Sequence, residues 1–283
     1  MSESHPSLAF ILEELIAPSI GCVLSTLTFA APIKSLLSAI EFGSLGSLNP
    51  TPWAFMTGNT IGWLAYSFIT KDLFVFFANA PGLLISIWLN TGACKLQYYE
   101  ELVRRSSESL TEGDNDAISV QTAKFDCCQQ LTSHELKVLQ IVIIWVVILS
   151  TTSLIPVSTD EMKFIVGVSV NINLIFFYAS PLSTIATVIR TNNSASIHFW
   201  TMVMNTTNAF FWCVYSLAIQ DYYILIPNGL GLMFGILQFA LHRCFPKSEV
   251  IESSDSVTEL SGEGDCTEQL TRVRGICDEN EII

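Results

Sequence analysis

Seven stretches of this chain are apolar over the roughly 20 residues that a helix needs to cross the hydrocarbon of a bilayer. They fall at about 15–37, 50–69, 73–93, 138–157, 164–189, 197–219 and 222–242. Short polar breaks separate most of them. Two breaks are long, 94–137 and 244–283, and both are acidic and too poor in large apolar residues to build a core. The pattern predicts an all-α membrane protein of seven transmembrane helices, with 1–14 ahead of the first helix, 94–137 a disordered linker and 244–283 a disordered tail.

The stretches are not independent. WLAYSFITKDLFVFFANAPG, starting at Trp63, returns as WCVYSLAIQDYYILIPNGLG, starting at Trp212. Without a gap, Trp63 falls on Trp212, Tyr66 on Tyr215, Ser67 on Ser216, Asp72 on Asp221, Asn79 on Asn228 and Gly82 on Gly231, each pair 149 positions apart as 212 − 63 gives. The same offset pairs Ala30 with Ala179, Pro32 with Pro181, Asn59 with Asn208 and Ile87 with Ile236. A register held this far without insertion marks a duplicated structural unit. The duplication covers 15–93 and 164–243 and leaves the helix at 138–157 unpaired, as a linker. Three crossings end on the side opposite their start, so one extra crossing gives the second unit the orientation of the first. The expected fold is two parallel three-helix repeats joined by one helix, 3+1+3.

Composition agrees with a membrane protein: 14% of residues are charged, half are hydrophobic and the mean hydropathy is +0.47. The net charge of −13 comes mainly from the two polar segments, and no basic face remains for nucleic acid. Lys and Arg set the orientation. With the N-terminus outside, Lys34, Lys95, Arg104, Arg105, Lys124, Lys137, Arg190, Arg243, Lys247, Arg272 and Arg274 lie inside, and only Lys71 and Lys163 outside. The positive-inside rule therefore predicts a cytosolic C-terminus. The eight cysteines fall in apolar runs or in segments assigned to the cytosol, and no spacing suits zinc, so neither a disulfide framework nor a metal or other cofactor is expected. The predicted membrane interiors hold no Asp or Glu, the usual relay of an ion-coupled carrier.

The doubled three-helix unit, the PNGLG run at 227–231 and the prolines at Pro32 and Pro181 together resemble the SWEET sugar transporters, the MtN3/saliva family. The resemblance implies a central cavity that binds one sugar and opens alternately to each side without an ion gradient, at the plasma membrane or an endomembrane. It implies a sugar site at Asn79 and Asn228 with Trp63 and Trp212 as walls, and an extracellular gate of Tyr66 and Tyr215 with an ion pair between Lys71 and Asp221. It also implies helix-bending prolines at Pro32, Pro52 and Pro181; His198 stands where a fourth is usual, which changes the expected intracellular gate. Tryptophan at both wall positions implies a monosaccharide, a hexose, where smaller residues go with a disaccharide. Homo-oligomers are common in that family, and the bilayer is the remaining partner.

The residue types suit that chemistry. An asparagine offers two donors and an acceptor without a charge, and a tryptophan offers a flat apolar wall with an indole N–H. In a membrane the same asparagines could serve only as interhelical hydrogen bonds, and the tryptophans only as interfacial anchors. Placement at symmetric positions within the spans favours a site. Seven helices with the N-terminus outside also describe heptahelical receptors and retinal proteins, but the duplication argues against the first and the lack of a lysine in the last helix against the second. No nucleophile and base constellation points to an enzyme. A sugar sensor or scaffold on the same frame is the alternative to a carrier.

Overall fold

The computed structural model describes residues 7–111 and 131–245, and every regular element among them is helical. A turn of helix at Leu8–Phe10 and a π segment at Ile11–Ile16 lead into α1 (Ala17–Ala30), followed by α2 (Ile33–Phe42), α3 (Thr51–Thr70) and α4 (Leu73–Thr111). Then come α5 (Ser133–Leu154), α6 (Thr159–Thr191), a 3-10 turn at Ser194–Ser196, α7 (Phe199–Ala218) and α8 (Tyr222–Cys244). The described residues form two compact units, one of 7–33, 50–90 and 137–245, the other of 34–49, 91–111 and 131–136.

Local chemistry sets the helix ends. Pro52 occupies the first turn of α3, where a missing N–H removes no helical bond. Pro52 therefore starts its helix and does not bend it, which corrects the expectation of a kink there. Pro32 does interrupt the chain, at the Ala31–Pro32 turn between α1 and α2. Pro181 falls within α6, and its side chain lies outside the described residues. Ser158 opens α6 with a capping box, its hydroxyl accepting from Glu161 N while the Glu161 carboxylate accepts from Ser158 N at 2.7 Å.

The duplication is visible in the backbone. Lys71 and Gln220, which are 149 positions apart, both take the left-handed conformation, with φ of 58° and 54°. The next residue, Asp72 or Asp221, returns its N–H to Ser67 O at 3.0 Å or Ser216 O at 2.9 Å. Its carboxylate then caps the following helix: Asp72 Oδ1 accepts from Phe74 N and Val75 N, and Asp221 Oδ1 from Tyr223 N and Ile224 N. The same side chains at the same offset have produced the same turn twice.

The distribution of polarity is that of a protein in lipid. Val23 and Leu27 on α1, Ile143, Ile144, Val146 and Val147 on α5, and Ile226, Met233 and Ile236 on α8 are exposed, while Thr57, Asn59, Thr60, Ser67, Ser216 and Asp221 are buried. A soluble protein arranges these the other way. Among the described residues four stretches are long and apolar enough to cross a membrane: Leu8–Phe42, Leu73–Arg105, Ser133–Leu154 and Tyr222–Cys244. The seven expected spans are thus matched only in part by this measure. Helices α3, α6 and α7 carry more Thr, Asn, Ser, Tyr and Trp, and α3 in particular turns 11 of its 20 residues inward. Helix α4 continues to Thr111, well past 93, and within it Glu101 takes both Arg104 and Arg105 at 2.7 Å. Of the two acidic segments, residues 112–130 and 246–283 lie outside the described residues.

In the first unit the core gathers Trp63, Tyr66, Trp145, Val166, Val170, Trp212, Tyr215 and Ile224. Glycine makes the close approach to α5 possible: a Cβ on Gly62 would stand 2.6 Å from the Trp145 ring, and one on Gly58 would stand 2.6 Å from Ile141. Asn90 Nδ2 and Thr57 Oγ1, 2.9 Å apart, add a polar knot between α3 and α4, with Thr57 donating to Ser86 Oγ at 2.9 Å. In the second unit Glu100 Oε1 accepts from Ser44 Oγ at 2.5 Å and Leu45 N at 2.7 Å, pinning the end of α2. Gly62→Val should cost about 1–3 kcal/mol by overpacking, and lower the thermal midpoint of the detergent-solubilised protein. Gly229→Ala, where a Cβ meets nothing within 4 Å, should leave the midpoint unchanged or slightly raised; equal midpoints for the two variants would refute the close α3–α5 seam.

Candidate functional site

The two turns bring together a set of side chains that sequence spacing alone could only pair by analogy. From α3, Tyr66 Oη donates to the Asp221 carboxylate, 2.7 and 2.9 Å from its two oxygens. From α7, Tyr215 Oη donates to Asp72 Oδ2 at 2.8 Å. Each tyrosine therefore reaches the capping aspartate of the other repeat, and the two bonds cross. Since the pairs 66/215 and 72/221 share the 149-residue offset, this is one interaction made twice by pseudo-symmetry.

The cation on Asp221 differs from the expected one. Lys163 Nζ, at the start of α6, stands 2.9 Å from Asp221 Oδ2 and lies 5.8 Å from the Tyr66 ring and 5.9 Å from the Tyr223 ring. Among the described residues Lys71 does not form the ion pair predicted for it. It is committed to the left-handed turn, with an exposed side chain. The carboxylate of Asp221 is only 5% exposed, so its charge is balanced by the Lys163 cation, the Tyr66 hydroxyl and two helix N–H groups. The charge distribution placed Lys163 outside beside Lys71, but the repeat could not nominate it for the gate because its counterpart at the offset is Glu14. Asp72 did give a sequence signal, as the repeat partner of Asp221.

One turn before each tyrosine, on the same helix face, stands a tryptophan. Trp63 meets Tyr66 edge-on with ring centres 5.5 Å apart, and Trp212 meets Tyr215 likewise at 5.9 Å. Both indoles are buried. Gly21 lets the Trp212 ring lie directly on α1, where a Cβ would stand 3.0 Å from it. Asn79 and Asn228 lie two turns, about 10 Å, into the helices that Asp72 and Asp221 cap. Each spends one N–H on its own helix, Asn79 on Val75 O and Asn228 on Ile224 O, both at 2.8 Å. Their amide oxygens and remaining N–H groups have no partner among the described residues, which leaves a donor and an acceptor on each for a ligand.

Two further asparagines belong with these. Asn59 and Asn208, already paired by the repeat, lie one turn before Trp63 and Trp212. Asn208 Oδ1 accepts from Ser25 Oγ at 3.1 Å, whereas the buried Asn59 Oδ1 has no partner. By contrast His198 is exposed as the N-cap of α7 and makes no capping bond with its side chain. The arrangement as a whole can close one end of a helical bundle by hydrogen bonds and hold a neutral polyhydroxy ligand deeper in.

A duplicated helical bundle with a buried polar lining and crossed hydrogen bonds at one end has counterparts among known membrane proteins. The fold aligns with that of a eukaryotic SWEET transporter at a TM-score of 0.64 and 20% identity, over 84% of this chain and 99% of the other. Residues 18–90 and 164–250 match the family described as "Sugar efflux transporter for intercellular exchange", and the chain belongs to that family, MtN3/saliva. It is 25% identical over 224 residues to the bidirectional sugar transporter SWEET12 of Oryza sativa subsp. japonica, covering 79% of this chain and 65%, just under two thirds, of the rice protein. Similarity extends to the bidirectional sugar transporter SWEET5 of Arabidopsis thaliana, 25% identical over 81% of this chain and 85% of that one. The sugar transporter SWEET1 of Dictyostelium discoideum is 22% identical over 77% of this chain and 87% of that one.

Lys163→Met should weaken the closure by about 1–2 kcal/mol, since it removes one of the charge-assisted contacts of a buried carboxylate at a partly exposed cation. Lys71→Met should change it by less than about 0.5 kcal/mol. Reaction of a thiol-specific reagent with a cysteine placed beside Tyr66 measures the difference: faster labelling in the Lys163 variant is expected, and faster labelling only in the Lys71 variant would reverse the assignment.

Proposed function

We propose that this protein is a sugar carrier that crosses the membrane seven times as 3+1+3 and passes a monosaccharide from one side to the other by alternating access, without an ion gradient. The observation that carries the reading is the crossed pair of Tyr66–Asp221 and Tyr215–Asp72 hydrogen bonds above symmetric Asn and Trp side chains. Hydrogen bonds of this kind can break and re-form in every cycle, and breaking both frees that end of the bundle. Asn79 and Asn228, each with an unused amide donor and acceptor, suit hydroxyls around a sugar ring. Trp63 and Trp212 suit its C–H faces.

In this reading the Tyr–Asp closure is the extracellular gate, with the N-terminus outside and the C-terminus cytosolic. Pro32, at the α1–α2 break, and Pro181 are the hinges on which the repeats rock, and the His198 region is the intracellular end. Bulk at both tryptophans favours a hexose over a disaccharide. A carrier with no intramembrane carboxylate relay equilibrates its solute, so direction follows the gradient. The plasma membrane is the expected location, and homo-oligomers would cover part of the lipid-facing surface.

The test is labelled glucose uptake and efflux in cells lacking their own hexose carriers, with and without a protonophore. Flux in both directions, insensitive to the protonophore and reduced about tenfold or more in Asn228→Ala, is expected. Collapse of wild-type flux on adding the protonophore would overturn the uncoupled mechanism. Absence of flux in a correctly localised protein would favour a sensor.

A further inference from the structure

The two halves of the site differ by one hydroxyl. On one side, Trp212 Nε1 donates to Ser25 Oγ at 3.1 Å and Ser25 Oγ donates to Asn208 Oδ1 at 3.1 Å. A single hydroxyl on α1 thus uses the only donor of the indole and fills the amide oxygen one turn before it. On the other side the corresponding groups are Trp63 and Asn59, and the residue 149 positions after Ser25 is Leu174. Helix α6 packs on α3 as α1 packs on α7, and Leu174 packs against the core cluster that contains Trp63. A leucine can neither accept from an indole nor donate to an amide. In keeping with this, the Trp63 N–H has no acceptor among the described residues, and Asn59 Oδ1 is buried without a donor.

An unpaired buried acceptor is costly, and this one sits one helical turn from an unpaired donor. We infer that the substrate supplies the missing group: one sugar hydroxyl accepts from Trp63 Nε1 and donates to Asn59 Oδ1, making in this half the two bonds that Ser25 Oγ makes in the other. This rests on the sugar-carrier reading and sharpens it. The symmetric frame then binds its ligand in one orientation, because Trp212 has no N–H to offer and acts only as a wall. Ser25 and Leu174 are the residues that set this orientation, Ser25 by closing one half and Leu174 by leaving the other open.

The test uses the full chain in proteoliposomes, with glucose and its series of monodeoxy analogues as probes. The wild type should discriminate against one analogue by about tenfold or more in kcat/KM, since that analogue leaves both groups unpaired. Leu174→Ser supplies the hydroxyl internally and should bring that ratio to about one, chiefly by weakening glucose, whereas Leu174→Ala, which makes space without a hydroxyl, should retain it. Indole N–H resonances give a reading independent of flux and of any folding defect in one variant: glucose should shift the Trp63 signal, the poorly used analogue should not, and the Trp212 signal should stay fixed. Unchanged discrimination in a folded Leu174→Ser protein, or a glucose-dependent shift of Trp212 in place of Trp63, overturns the bridging hydroxyl while leaving sugar transport intact. Absence of both flux and a shift with all of these sugars in the wild type overturns the carrier reading itself.

Discussion

Two aspartates, Asp72 and Asp221, hold this structure in its present state, because each does two jobs with one carboxylate. One oxygen caps a helix, satisfying N–H groups that would otherwise be orphaned at its first turn. The other reaches a tyrosine from the opposite repeat. The cap fixes where the carboxylate points, and the tyrosine fixes which helix must lie opposite. A cap is worth about 1 kcal/mol, and a hydrogen bond to a charged group about 1.5–3 kcal/mol. In the proposed carrier the crossed pair is strong enough to bias a closed state and weak enough to be opened by thermal motion with help from a ligand. Because the capping bonds persist when the tyrosines let go, opening need not unravel the helices.

The surrounding packing keeps those polar groups in place without tying them down. In lipid there is little hydrophobic drive between helices, so they associate through close packing and hydrogen bonds. Gly58 and Gly62 bring α3 against Trp145, and Asn90, Thr57 and Ser86 bond α3 to α4. Asn173 Nδ2 donates to Phe55 O at 3.0 Å and joins α6 to α3. These bonds are made away from the tyrosines and tryptophans, which are left to meet one another by ring edges. Rigid seams and a lightly held centre are what a bundle needs if whole helices are to move as bodies.

Much of this was legible in the chain because duplication repeats what matters. Tyr66, Asp221, Asn79 and Trp63 each declared themselves by returning at the same offset, and the backbone agrees down to the left-handed Lys71 and Gln220. What was not legible had no partner in the repeat. Lys163 faces Glu14 across the offset, so the alignment could not nominate it, and Lys71 was expected in its place because the family resemblance implied it. Pro52 was expected to bend its helix because the family resemblance implied it, yet the helix begins just before it. Hydropathy also marks fewer crossings than the repeat predicts, in part because α3 and α7 turn polar and aromatic residues toward the interior.

Three of the positions where the repeat fails lie beside the polar groups that it keeps. Glu14 against Lys163, Gly21 against Val170 and Ser25 against Leu174 all lie on or just before α1 and α6, the first helix of each copy. The tyrosines, tryptophans, asparagines and capping aspartates, which keep their identity, lie on α3, α4, α7 and α8. The bonds that pair the two repeats are thus kept on α3, α4, α7 and α8, while these α1 and α6 positions make the two halves unlike. A sugar has no two-fold axis, and a perfectly symmetric site would offer it two equivalent poses, half of its contacts wasted in each. Divergence at these α1 and α6 positions makes the two halves unlike at the level of single side chains, and in the proposed carrier removes that ambiguity, while leaving intact the paired bonds between the repeats.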